Sequence, residues 1–248
     1  MYPYIKINNA FVEFPIFDAK SRSLKAQVAN FARGTINQES NIVTVESISD
    51  LSLTLNEGDK LGLIGNNGAG KSTLLKLLSG IYEPTKGSIE RNGKIVPLLD
   101  IALGMDDDST GYQNIKLRGL LLGMSQKEIN EKIHDIAEFT ELGDYLNLPI
   151  RTYSMGMRVR LAFAISTSVD PDILLLDEVI GTGDAAFLLK AQQRFEALKE
   201  RAKIVVLSSH DNSVIVNSCN KVLWMEGGKM KMLGEPDVVL DAYMKSII

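Results

Sequence analysis

The stretch Gly65-Asn-Asn-Gly-Ala-Gly-Lys71-Ser72-Thr73 constrains this chain more than any other, because it makes sense in only one local setting. It follows the apolar run Leu61-Gly-Leu-Ile64 and precedes Leu74-Leu-Lys-Leu-Leu78, so it reads as a buried strand, a glycine-rich turn and a helix. Glycines 65, 68 and 70 let the backbone bend until consecutive N–H groups point inward, and the helix start adds partial positive charge. Such a turn attracts an anion through its backbone alone. Gly65, Asn66, Asn67, Gly68, Ala69, Gly70, Lys71, Ser72 and Thr73 are therefore expected to cradle nucleotide phosphates. Lys71 would reach the β and γ phosphates, and the Ser72 hydroxyl would ligate Mg²⁺.

A second apolar run, Ile173-Leu-Leu-Leu176, ends in Asp177-Glu178. Carboxylates at the carboxyl end of a strand lie in the crevice where doubly wound sheets bind ligands. Asp177 is expected at the Mg²⁺, and Glu178, pointing elsewhere, is the natural base for an attacking water. A third run, Ile204-Val-Val-Leu-Ser208, leads to His210, where one imidazole could touch a γ phosphate. His134, Cys219 and Trp224 sit in no comparable motif.

These runs alternate with helical patterns, which predicts an α/β chain with a largely parallel core sheet. Ile5 to Phe14 and Ile42 to Leu55 read as strands, and Asn92-Gly93 between β-prone flanks predicts a hairpin over Ser88 to Val96. Residues 18–40 are polar and read as a long irregular connection. From Thr110 to about Thr167 the pattern is helical, with Ser125-Gln-Lys-Glu128 as a capping box. A further helix is expected from Ser154 or Met155 to before Asp170-Pro171, another over Ala185 to Arg201, and a tail of one strand, the Glu226-Gly-Gly-Lys229 turn and a final helix.

Composition narrows the function classes. Lys plus Arg number 27 against 31 Asp plus Glu, a net charge of −4, which argues against a polycationic nucleic-acid binder. A single cysteine leaves no disulfide framework and no multi-thiolate zinc site, and suits a reducing compartment. No apolar run approaches the roughly 20 residues that cross a bilayer, and the N-terminus lacks a secretory pattern.

Tyr153-Ser154-Met155-Gly156-Met157-Arg158, between the phosphate loop and the acidic strand, resembles the signature of ABC-type ATPases. The phosphate loop, this signature, the acidic strand, Gly181-Thr-Gly-Asp184 and His210 occur in that family's order. The resemblance implies a nucleotide-binding domain with a mostly parallel core sheet, an N-terminal antiparallel β portion and an inserted helical subdomain. Residues 1–98 and 168–248 would form the catalytic and β portions, and about 99–167 the helical part. Ser154 and Gly156 would bind the γ phosphate held by another copy, with Asp184 at the subunit boundary, which implies a homodimer enclosing two ATP. The family's adenine-stacking aromatic corresponds to Phe14, with Phe17 behind it. Catalytic roles fall on Glu178 and His210, and Mg²⁺ on Ser72 and Asp177.

The serine-x-glycine-methionine form, Asp177 to Phe187, Leu98 to Gly104 and Thr110 to Asn114 are similar to ATPases of bacterial surface polysaccharide exporters. That likeness implies an integral membrane permease, in two copies, and a lipid-linked O-antigen cargo reached through it. The ATPase would sit peripherally on the cytoplasmic face of the inner membrane. Teichoic acid or capsule are alternative cargoes, and a soluble ATPase acting on nucleic acid or the ribosome is a more distant alternative. The family's linking-loop glutamine has no counterpart around Asp100 to Leu103, where Asp100 is the nearest substitute. The chain ends too soon after Asp241 for the carbohydrate-binding domain that some such ATPases carry, so cargo selection is expected to lie with the permease.

Overall fold

A computed structural model describes residues 2–16, 36–37, 43–99, 104–177, 185–209 and 211–247. Two compact units emerge: Met1–Gly93, Leu175–Glu178 and Ile204–Ile248 form the first, and Lys94–Leu174 with Val179–Lys203 the second.

The first unit holds an antiparallel sheet of β1 (Tyr4–Ile16), β2 (Ile36–Asn37), β3 (Val43–Asn56) and β5 (Lys86–Asn92), in the order β2-β3-β1-β5. Alternation buries Ile5, Ile7, Val12, Leu51, Leu53 and Leu55. Its other strands are β4 (Lys60–Ile64), β8 (Ile204–Ser208), β9 (Lys221–Glu226) and β10 (Lys229–Gly234), in the order β10-β9-β4-β8. Here β4 runs parallel to both β8 and β9. Every residue of β8, and all of β4 after Lys60, is buried, as expected of parallel strands covered on both faces. Helix α1 (Lys71–Ser79) leaves β4 through the glycine-rich loop and buries Leu74, Leu75, Leu77 and Leu78. Arg91 on β5 donates to the Leu77 carbonyl at 2.8 Å, placing a cation at the C-terminal end of α1. Helices α6 (Asn212–Ser218) and α7 (Pro236–Ile247) complete this unit.

The second unit contains β6 (Ile95–Leu98), α2 (Gly111–Leu121), α3 (Gln126–Thr140), α4 (Met155–Ser166) and α5 (Ala185–Arg201), with short 3-10 turns at Gly143–Asn147 and Ile150–Thr152. Strand β7 (Ile173–Leu176) is fully buried and divided between the units, its first two residues in this one. Phe139, Phe163 and Phe187 pack at centroid separations of 5.7 to 6.2 Å in its core. The Ser125/Glu128 capping box forms at the start of α3, and Thr110 with Gln113 forms another at α2. Helix α2 is inverted relative to an ordinary surface helix. Arg118 is 4% exposed and donates to Ser166 Oγ at 3.0 Å, while Leu117, Leu120 and Leu121 are 40%, 52% and 66% exposed.

Two expectations are corrected. The chain does bend at Gly93, with φ 115°, but β5 and β6 belong to different sheets rather than to one hairpin. β5 pairs instead with β1 across the antiparallel sheet. The tail also has two strands, because β10 returns antiparallel to β9 after Gly227-Gly228. Within the irregular connection, Ile36–Asn37 pairs with β3. The rest of 18–40, apart from Ile36 and Asn37, lies outside the described residues, as do Phe17 and Asp100 to Leu103.

Candidate functional site

The loop between β4 and α1 is shaped by contacts that leave no room for side chains. A Cβ on Gly65, at φ 139°, would stand 2.2 Å from the Met225 carbonyl oxygen, and one on Gly70, at φ 104°, 2.6 Å from that of Ser47. Gly68 has open space around it, so its need is conformational alone, with φ 78°. Inside the loop, Ala69 N–H donates to Asn66 O at 3.0 Å, and Leu74 N–H to Gly70 O at 2.8 Å. Lys71 is 7% exposed, and its Nζ donates to Gly65 O at 2.6 Å and to Asn66 O at 3.3 Å. The ammonium is thus held within the curve of the loop.

Asn67, Gly68, Ala69, Gly70, Lys71, Ser72 and Thr73 line one recess of about 370 Å³ together with Ser47, Asp177 and Ser208. The Ser72 side chain is exposed to it, and Asp177 stands just past the end of β7. All these residues belong to the first unit. A hydroxyl and a carboxylate at the mouth of a loop of N–H donors and a lysine can bind a phosphate chain through the loop and a hard divalent cation through the oxygens. The fit to Mg²⁺ is good, since that ion takes one or two protein oxygens alongside substrate phosphates and water. Ser47 was not singled out from sequence. Its only signal is position, since β3 passes behind Gly70.

The other expected site residues divide three ways. Gly65 and Asn66 shape the loop without lining the recess. Phe14 stands on β1 opposite Val45, with its ring edge-on to Tyr82 at 5.3 Å, and does not line the recess either. Ser154 and Gly156 belong to the second unit, where Ser154 caps α4 and its Oγ accepts from Met157 N–H at 3.3 Å. Ser154, Met155 and Gly156 are all exposed, Met155 at 72%. This is an open helix N-terminus with a hydroxyl at its rim, a fitting place for an anion. Glu178, Asp184 and His210 lie outside the described residues.

A strand, glycine-rich loop and helix with an acidic strand end in one recess define a phosphate-loop nucleotide-binding protein. Residues 48–181 match the family model for ABC transporters, and the chain belongs to that family. It is 45% identical to the O-antigen export system ATP-binding protein RfbE of Yersinia enterocolitica, over 89% of this chain and 93% of that one. Identity to the O-antigen export system ATP-binding protein RfbB of Myxococcus xanthus is 38%, over 91% of this chain, which spans about half of that protein, 51%. With the teichoic acids export ATP-binding protein TagH of Staphylococcus haemolyticus it is 36%, over 96% of this chain and 87% of the relative. Among solved structures, the ATP-binding cassette MJ0796 bound to ADP and phosphate superposes with a TM-score of 0.66 at 18% identity, covering 94% of this chain and 98% of that one. That likeness shows the fold.

Proposed function

We propose that this chain is the ATP-hydrolysing subunit of an exporter moving lipid-linked O-antigen polysaccharide across the cytoplasmic membrane. The observation that supports this best is that Lys71, Ser72 and Asp177 line one recess of a chain whose relatives are named as ATP-binding proteins of O-antigen export systems. The TagH relative keeps teichoic acid as the alternative cargo for the same machinery.

In this reading the loop N–H groups and Lys71 hold the β and γ phosphates of ATP, and Lys71 turns from the Gly65 carbonyl toward them. Ser72 and Asp177 hold Mg²⁺, which when bound neutralises charge that develops on the phosphates. Glu178 accepts a proton from the attacking water, and His210 contacts the γ phosphate. Phe14 offers a flat face for adenine. Ser154, Gly156 and the start of α4 close on the γ phosphate held by a second copy, with Asp184 at the boundary. The exposed Met155 is covered by that closure, which removes apolar surface from water.

Among the described residues no helix is long and apolar enough to cross a membrane. Relatives named as ATP-binding proteins of export systems support an integral permease as the partner, two copies for a homodimer, with this chain on the cytoplasmic face. Leu117, Leu120 and Leu121 supply an apolar face for it on α2. The net charge of −4 speaks against nucleic acid as a partner.

Replacing Glu178 by Gln tests the composite site. With ATP and Mg²⁺ the variant is expected to accumulate as a nucleotide-bound dimer by light scattering. A folded variant that stays monomeric at saturating ATP would contradict it.

A further inference from the structure

Asp107 grips the chain on both sides of Ser154. Its backbone carbonyl accepts from Arg151 N–H at 3.0 Å, three residues before Ser154, and its carboxylate accepts from Arg158 Nη1 at 2.6 Å, four residues after. Asp108 adds a second pair, accepting from Arg151 Nη1 at 2.7 Å. Arg158 itself donates its backbone N–H to Ser154 O at 3.1 Å, in the first turn of α4. The ends of the segment 151–158 are thus fixed to two adjacent aspartates of one loop.

That loop is built to be stiff. Asn114 at the start of α2 is fully buried, and its Nδ2 donates to the carbonyls of Asp106, Ser109 and Thr110 at 3.0, 3.1 and 3.0 Å. Its Oδ1 accepts from Asp106 N–H at 2.8 Å. The Ser109 hydroxyl and the Asp108 N–H both donate to the Asp106 carboxylate, which holds it below the usual carboxylate range. Ile150 N–H donates to Ser109 O at 3.0 Å, and a bridge joins Thr110 to Pro149. Loop 106–110 and segment 149–158 are therefore tied together by backbone and side-chain bonds, and Asp107 is the residue that bonds to both flanks of the helix start.

We propose that Asp107 is a positioning residue for Ser154 and Gly156, fixing the start of α4 so that it can close on a bound triphosphate. The inference rests on the reading that these two residues meet a nucleotide held by a second copy. Neutralising Arg158 follows from the same contact, since an unpaired guanidinium in the first turn would swing toward any phosphate presented there. Of the contacts between loop 106–110 and segment 149–158, those of Asp107 alone bracket Ser154, with Arg151 on one side and Arg158 on the other.

The test compares Asp107→Asn, the exchange Asp107→Arg with Arg158→Asp, and Ser154→Ala. Each is measured in the otherwise unaltered chain for ATP turnover, and in a Glu178→Gln background for ATP-driven dimerisation. Affinity of the monomer for a fluorescent ATP analogue is measured in parallel. Asp107→Asn is expected to lower kcat by roughly tenfold, and to raise the ATP concentration for dimerisation by about as much, through misplacement of groups that must align. Analogue affinity and Tm should hold, because the phosphate loop is untouched and the pair is partly exposed. The charge exchange should recover most of the loss. Asp107→Asn with unchanged turnover and dimerisation, while Ser154→Ala impairs both, would overturn the inference and leave the composite site standing. If Ser154→Ala also dimerises normally, the composite site falls and this inference with it.

Discussion

The Gly228 N–H donates to the Ala69 carbonyl at 3.0 Å, so the turn between β9 and β10 braces the phosphate loop from behind. The same glycine accepts from Ser49 N–H at 2.9 Å, which ties β3 into the brace. A nucleotide site of this kind depends on a loop that keeps its shape before the anion arrives, since reorganisation on binding would subtract from affinity.

A Cβ at Gly228 would lie 2.9 Å from Ser47 O, with the backbone at φ 78°. Gly228→Ala is expected to cost roughly 1–2 kcal/mol, lowering Tm by a few degrees, about 2–4 °C per kcal/mol. Because the displaced turn holds Ala69, KM for ATP should rise as well. Thermal melts with turnover assays decide this, and an unchanged KM would show that the loop keeps its shape alone.

Lys71→Ala removes the cation held at 2.6 Å from Gly65 O inside the loop. Loss of one charged donor aimed at the transferring phosphate is expected to lower kcat/KM by about a hundredfold or more. Steady-state hydrolysis with Mg²⁺ checks it, and retention of more than a tenth of the activity would remove Lys71 from the phosphate site.

Leu121→Glu places a charge on the exposed apolar face of α2, where the native side chain is 66% exposed. The isolated variant should melt within about a degree of the native chain, because exposed substitutions rarely shift stability by more than about 0.5 kcal/mol. Copurification with the membrane partner from detergent extracts should be lost. Undiminished recovery of the permease would place the docking face elsewhere.

Acid stability of the second unit should depend on Asp172. Its carboxylate accepts from Lys94 N–H and from Lys203 Nζ, each at 2.9 Å, and the first of these bonds does most to hold its pKa below the 3.8 of a free aspartate. A carboxylate lowered on folding adds stability above 3.8, the unfolded value, and loses it as pH falls through the folded one. Denaturant melts from pH 6 downward should show stability falling below pH 4, and Asp172→Asn should flatten that limb while lowering stability at neutral pH. An unaltered limb would assign the acid sensitivity to other groups.

The recess was legible in sequence because its main parts are local. Loop 65–73 and Asp177 each sit where a strand must end, and short-range spacing reveals that. The capping box at Ser125 was legible for the same reason. Most of what escaped depends on partners distant in the chain. Asn92-Gly93 has the right turn chemistry, yet the neighbours of β5 and β6 are chosen by the sheets they complete. β10 reads Lys-Met-Lys-Met-Leu-Gly and alternates between exposed and half-buried, a weak signal beside the strong Gly227-Gly228 turn. Ser47 acts through a backbone contact that no motif encodes, and although Gly228 and Asn114 fall in stretches the sequence marks, their contacts to Ala69 and to loop 106–110 are not legible there. Arg118 inside and Leu121 outside reverse the usual pattern, and only packing reveals which side of α2 faces the core.

The central claim, that ATP hydrolysis by this chain drives export of a surface polysaccharide, is tested most directly in the native host. Glu178 is replaced by Gln on the chromosome and surface polysaccharide is resolved on a gel beside the lipid-linked pool inside the cell. The account predicts loss of surface polymer with lipid-linked chains accumulating inside. Undiminished surface polymer, with the variant shown to be folded, expressed and unable to hydrolyse ATP, would contradict it.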